Sequence, residues 1–261
     1  MYGWIERRVL ERNEDAIDVI LRDCAESGLD ALEIDPSNEN LEKTRSLHMR
    51  VSGSYWGGPL HEPWEALRAD NVVLPMVERL LAVGATHFVV NADPKGGWDH
   101  RLEKTEDELR RQGENLSRLA ELVRPLKLSF HNHGHTQVLA EADLRSVIDY
   151  ADSSVGLCVD TGWAHVAQCD PVAWATLHPD RIFAVHLRNQ RGDVPTEDLL
   201  QGDIDMRAFV GALETAGYNG WLTLELWHPQ ETQPVRSMVE DVRRSIDYLR
   251  GLIGDSSKAC S

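Results

Sequence analysis

Trp221-Leu222-Thr223-Leu224-Glu225-Leu226-Trp227 reads as a strand that carries one residue an ordinary core would not accept. Side chains of a strand alternate between its two faces. Leu222, Leu224 and Leu226 share one face, while Thr223, Glu225 and Trp227 share the other. A carboxylate enclosed there without a partner costs on the order of several kcal/mol. Three earlier segments have the same form: Leu128-Ser-Phe-His131-Asn-His133, Gly156-Leu-Cys-Val-Asp160 and Ile182-Phe-Ala-Val-His186. Each is a short apolar run that ends on a polar side chain. In the third, Ala184, His186 and Arg188 oppose Phe183, Val185 and Leu187. Imidazoles and carboxylates arriving one per strand at similar depth form a donor set for a divalent cation.

Working outward, short apolar runs alternate with longer amphipathic stretches along the whole chain. Strands are expected near 2–6, 30–35, 49–55, 86–92, 126–132, 155–160, 182–188 and 220–226. Helices are expected near 14–28, 38–47, 62–83, 102–124, 140–152, 170–178, 206–217 and 234–252. Asp15, Ser37, Thr105 and Asp170-Pro171 are helix-start signals, and Gly28, Gly84 and Gly217 stand where left-handed C-caps belong. Eight strands alternating with about eight helices describe a (β/α)8 TIM barrel, one domain over residues 1–253, with a disordered tail at 254–261. A doubly wound sheet would show a Gly-rich phosphate turn after its first strand, and the sequence has none there. Barrel active sites lie at the C-terminal ends of the strands, where His131, His133, Asp160, His186 and Glu225 fall.

Composition narrows the partners. The 261 residues carry a net charge of −16, which opposes a nucleic-acid backbone as ligand. No apolar run approaches the ~18 residues of a membrane span, and the first residues lack a signal-peptide core. Cys24, Cys158, Cys169 and Cys260 are scattered without metal-ribbon spacing, as expected of a reduced, cytoplasmic protein. A small molecule is the partner these features leave.

Each polar residue also has a structural reading. Glu225 could pair with an arginine, Asp160 could cap the next turn, and His186 could be a satisfied core histidine. Four coincident strand ends weigh against all three. His131 and His133 share a face, so one can ligate while the other serves as acid or base; His135 belongs to the following loop. Glu33 and Asp35 end the second strand, with substrate contact and local pairing equally open. Trp4, Trp56, Trp98, Trp163 and Trp227 all follow strand ends, which suggests an aromatic-walled pocket for the C–H faces of a sugar or a planar ring. Arg188 and Lys95 are the obvious phosphate candidates, too few for a phosphate cluster, so an unphosphorylated substrate is expected.

The strand-end residues, with Gly202-Asp-Ile-Asp-Met206 and Ala216-Gly-Tyr-Asn-Gly-Trp-Leu-Thr-Leu-Glu225, resemble the xylose-isomerase-like sugar phosphate isomerase/epimerase superfamily. From Ser129 to Glu225 the resemblance is strongest to the inosose dehydratase branch. It implies a TIM barrel holding one divalent metal, Mn2+ first, with Co2+, Zn2+ or Fe2+ also within reach. Asp160, His186 and Glu225 then match three metal ligands. The fourth corner holds His131, in His-Asn-His where many relatives have Glu-Asn-His. Asp-Thr-Gly-His reads Asp160-Thr-Gly-Trp163 here, and His-Leu-Lys-Asp reads His186-Leu-Arg188-Asn189. Glu141 is a candidate for the missing carboxylate.

The implied chemistry is proton abstraction α to a carbonyl of a sugar or cyclitol, with Glu225 and His133 as candidate bases. Returning the proton to the other face is epimerisation, and moving it to the next carbon is isomerisation. Expelling a β-substituent is dehydration. Arg188, Trp163, Trp227, Trp56, Trp4 and Glu33 are the expected substrate contacts. Two other readings compete: a three-zinc endonuclease on the same barrel, opposed by the charge, and a non-catalytic barrel with a decayed metal site. The resemblance also implies a homo-oligomer, although no residue fixes its size.

Overall fold

The computed structural model describes residues 2–11, 17–133 and 136–259. Seven parallel strands form one sheet in the order β1 (Ala31–Glu33), β2 (Arg50–Gly58), β3 (His87–Ala92), β4 (Lys127–His131), β5 (Val155–Asp160), β6 (Ile182–Leu187) and β9 (Leu222–Leu224). Between the last two lies a hairpin of β7 (Gln190–Arg191) and β8 (Val194–Pro195). The helices are α1 (Tyr2–Leu10), α2 (Ile17–Glu26), α3 (Asn38–Ser46), α4 (Trp64–Leu67), α5 (Ala69–Ala82), α6 (Glu106–Leu122), α7 (Gln137–Tyr150), α8 (Thr161–Val166), α9 (Pro171–Leu177), α10 (Met206–Thr215) and α11 (Met238–Ala259). Strand–helix alternation with every neighbouring pair parallel gives a nearly closed TIM barrel.

One expected strand is not a strand. Residues 2–6 are helical, so seven strands, not eight, make the sheet among the described residues. The reason is visible in the burial: Trp4 and Arg7 are both buried, three residues apart, which is a helical spacing rather than period two. Gly3 packs so closely on the Leu226 carbonyl that a Cβ would overlap it, which seats α1 against the end of β9.

Capping chemistry sets the other helix starts where the sequence marks them. Ser37 accepts from Asn40 N at 3.2 Å, and Asp170 accepts from Val172 N at 2.9 Å with Pro171 following. Thr105 and Glu108 form a reciprocal capping box at α6. Gly84 and Gly217 end α5 and α10 at φ values of 75° and 70°, a region that disfavours a Cβ. The Asp15 signal lies outside the described residues. The last helix runs to Ala259, into the segment expected to be tail.

Two apolar layers result. The outward faces of the strands pack under the helices, with Phe88, Leu128, Leu157 and Leu187 among the buried side chains. The barrel interior is thin by comparison: Val89, Cys158 and Ala184, with Tyr55 against them. Above that plug, toward the C-terminal strand ends, the interior becomes polar.

Candidate metal centre

Register brings the polar strand ends together. Asp160 pairs with His186 across β5 and β6, and His186 pairs with Thr223, two residues before Glu225. Two reciprocal hydrogen bonds tie β4 to β5: Asp160 N donates to Asn132 Oδ1 at 2.8 Å, and Asn132 Nδ2 donates to the Asp160 carbonyl at 3.1 Å. Asn132, the middle residue of His-Asn-His, thereby fixes the relative height of His131 and Asp160.

One ligand atom from each of His131, Asp160, His186 and Glu225 lies within 4.8 Å of the others. His131 Nε2 is 3.5 Å from Asp160 Oδ2 and 3.4 Å from Glu225 Oε2. Neither ring nitrogen of His131 has a hydrogen-bond partner, and neither does Asp160 Oδ2, although all are buried. His186 Nδ1 faces Glu225 Oε2 at 2.6 Å, and its Nε2 faces Glu33 Oε2 at 3.3 Å. Buried polar atoms are normally satisfied. His131 Nε2 and Asp160 Oδ2, unbonded and facing each other, together with His186 and Glu225 supply a set of two imidazoles and two carboxylates that fits a divalent cation.

Asp160 divides its oxygens between two tasks. Oδ1 caps α8 by accepting from Trp163 N at 2.6 Å and also accepts from Arg188 Nε at 3.1 Å. Oδ2 makes no hydrogen bond and faces His131 Nε2 at 3.5 Å. Gly162 is required here, because a Cβ would overlap the Arg188 side chain as it passes. The Arg188 guanidinium stacks on Trp163, 4.7 Å from the ring centroid.

Electrostatics follow the same contacts. Burial would raise the Glu225 carboxyl, but His186 and His131 hold it well below the usual range. Burial would lower His186, yet the Cys158 sulfur beside it, followed by Glu33 and Glu225, drives it well above the usual imidazole value. His133 goes the other way. Burial first, then the neighbouring His131, keep it well below its usual value and hence neutral.

A cavity of about 700 Å³ opens over these groups, within the ~300–1,000 Å³ of small-molecule sites. Glu33, His133, Trp163, Arg188, Glu225, Trp227 and Trp4 all line it, Trp4 from a helix instead of a strand. Trp98 joins them at the mouth, 5.4 Å from the His133 ring and perpendicular to it. Trp56 does not line it. The β1–β2 register jumps from Leu32↔Val51 to Glu33↔Gly53, so Tyr55 points inward and Trp56 packs against the outer core. Glu141 is not at the centre either; it is exposed on α7 and bonded to Gln137. Asn189 braces the following loop through Gln190, Leu199 and Ile204. Lys95 is paired with Glu108, and His135 lies outside the described residues.

Sequence reasoning missed Tyr55 and Arg101. Tyr55 stands edge-on to His131 at 5.6 Å and to His133 at 6.4 Å. Arg101 donates to the His133 carbonyl at 2.7 Å and covers Trp98. Its only signal was a place in the loop after β3, beside Trp98.

A parallel barrel with four convergent side chains at its C-terminal mouth defines a TIM-barrel protein with a candidate metal site. The chain belongs to the xylose isomerase-like TIM-barrel family, whose model matches residues 13–252. It is similar to the rhizopine catabolism protein MocC of Rhizobium meliloti, 26% identical over 215 residues covering 72% of this chain and 66% of that protein. It is also similar to inosose dehydratase of Lacticaseibacillus casei, 27% identical over 208 residues covering 68% and 69% of the two chains. The chain thus spans about two thirds of the length of these relatives. A xylose isomerase domain protein from Alicyclobacillus acidocaldarius has the same fold, with a TM-score of 0.73, 17% identity, and 93% and 95% of the two chains covered. Among the described residues no helix is long and apolar enough to cross a membrane.

Proposed function

We propose that this chain is a metal-dependent enzyme that removes a proton α to a carbonyl in a sugar or cyclitol, giving isomerisation or epimerisation. The observation that carries it is the set of orphaned buried atoms on His131 and Asp160, converging with His186 and Glu225 under a large cavity. A divalent cation held by those four would polarise the carbonyl and a neighbouring hydroxyl as a Lewis acid. Glu225 is ionised and reaches the cavity, so it can take the proton. His133 is neutral and lines the same cavity, so it can accept a proton from a bound substrate and return it. Arg188 and Trp163 form one wall, a cation over a ring, suited to a hydroxyl-bearing substrate with an apolar C–H face.

A second reading is dehydration through the same proton abstraction, favoured by the similarity to inosose dehydratase. Both begin with removal of the α-proton, which exchanges with solvent when it is returned. The test is metal analysis of the purified protein, then solvent-deuterium incorporation into a panel of keto-sugars and inosose. Exchange is expected with at least one of them, and Glu225→Gln should slow it by about 10²–10⁴-fold. Release of water from inosose would select dehydration. No metal and no exchange with any compound would leave a non-catalytic barrel.

A further inference from the structure

His131 bears on which ion the centre is built for. Its ring is 1% exposed, and both nitrogens lack hydrogen-bond partners. It is enclosed by the rings of Tyr55, at 5.6 Å, and His133, at 4.6 Å. Nε2 stays 3.4 Å from Glu225 Oε2 and 3.5 Å from Asp160 Oδ2. Nε2 is thus within ion-pair reach of both carboxylates yet hydrogen-bonded to neither, a position a coordinate bond to a shared cation would satisfy.

The donor set is therefore two nitrogens and two oxygens, with two negative charges instead of three. One of those charges is shared, since Arg188 Nε lies 3.1 Å from Asp160 Oδ1. Mn2+ and Mg2+ draw most of their binding energy from anionic oxygen, whereas Zn2+ and Co2+ gain more from imidazole. Resting on the metal-centre reading above, we propose that His131 sets the ion preference: the centre selects Zn2+ or Co2+ against Mn2+ and Mg2+. This reverses the order of metals implied by sequence resemblance.

The experiment strips the protein of metal and titrates it with Zn2+, Co2+ and Mn2+ against a competing chelator. It compares wild type with His131→Glu, which restores a third carboxylate. The wild-type preference for Zn2+ over Mn2+ should fall about tenfold or more in the variant, the scale on which changes around a metal site act. Pulsed EPR of the Mn2+-loaded wild type should show nitrogen couplings from two imidazoles. That count needs no variant, so it decides even if His131→Glu does not fold. A single imidazole in wild type, or an unchanged ion ratio in a folded variant, would overturn the proposal alone. Failure of wild type to bind any of the three ions would overturn the metal-centre reading and the proposal with it.

Discussion

Glu33 stands behind His186, on the far side of the ring from Glu225. Burial opposes its charge, but His186 holds the carboxyl below its usual value. A carboxylate on the outer nitrogen of a ligating histidine fixes the tautomer and the ring plane, and its loss typically weakens metal binding by ~10–100-fold. Glu33→Gln should show that loss in chelator competition while the fold is retained. Unchanged affinity with a raised KM would instead make Glu33 a substrate contact. His131, Asp160, His186 and Glu225 were legible because strand parity needs only the apolar alternation around them. Tyr55 was not, because two adjacent aromatics, Tyr55 and Trp56, compete for the inward position. The register jump near Ser52 that decides between them has no signature in the sequence.

At the level of elements, two helix-interior glycines should respond in opposite ways. Gly113 of α6 meets α7 directly: an added Cβ would lie 2.5 Å from both Ser146 O and Tyr150 Cβ. Gly113→Ala should force the helices apart and cost about 1–3 kcal/mol, as overpacking does. Gly211 of α10 has no atom within 4 Å of its added Cβ. Gly211→Ala should stabilise by about 0.4–1 kcal/mol, chiefly by restricting the unfolded chain. Denaturant midpoints of the two variants check both signs. The same level shows where sequence reading fails. Helices with strong caps, such as Thr105 with Glu108, declare their starts locally. The segment 2–6 has no such marker, and a short segment with Tyr2, Trp4 and Ile5 as its apolar residues fits strand and helix alike. Only its packing on Leu226 settles the matter.

Across the whole molecule, a polar network joins α1, the loop after β8, the loop after β9 and α11. Arg7 Nη1 contacts His228 Nδ1 at 2.8 Å, and His228 Nε2 donates to the Glu197 carbonyl at 2.9 Å. Arg236 bridges Asp198 and Asp241 at 3.0 and 2.7 Å. Two members titrate in opposing directions. Burial pushes the Asp241 carboxyl from 3.8 up to about 6, against the Arg236 hydrogen bond. Between those values the folded chain holds a proton that the unfolded chain has released, so this group's contribution to stability falls as pH rises. Burial pushes His228 from 6.5 down to about 4. Across that range the unfolded chain holds the extra proton, so this contribution rises with pH. In wild type the two slopes oppose each other over much of the window. Asp241→Asn removes the first and leaves the second. Its melting temperature should therefore climb more steeply than that of wild type between about pH 4 and 6. Calorimetry of both proteins across that range measures the difference, and parallel slopes would show that Asp241 does not hold its proton in the folded chain.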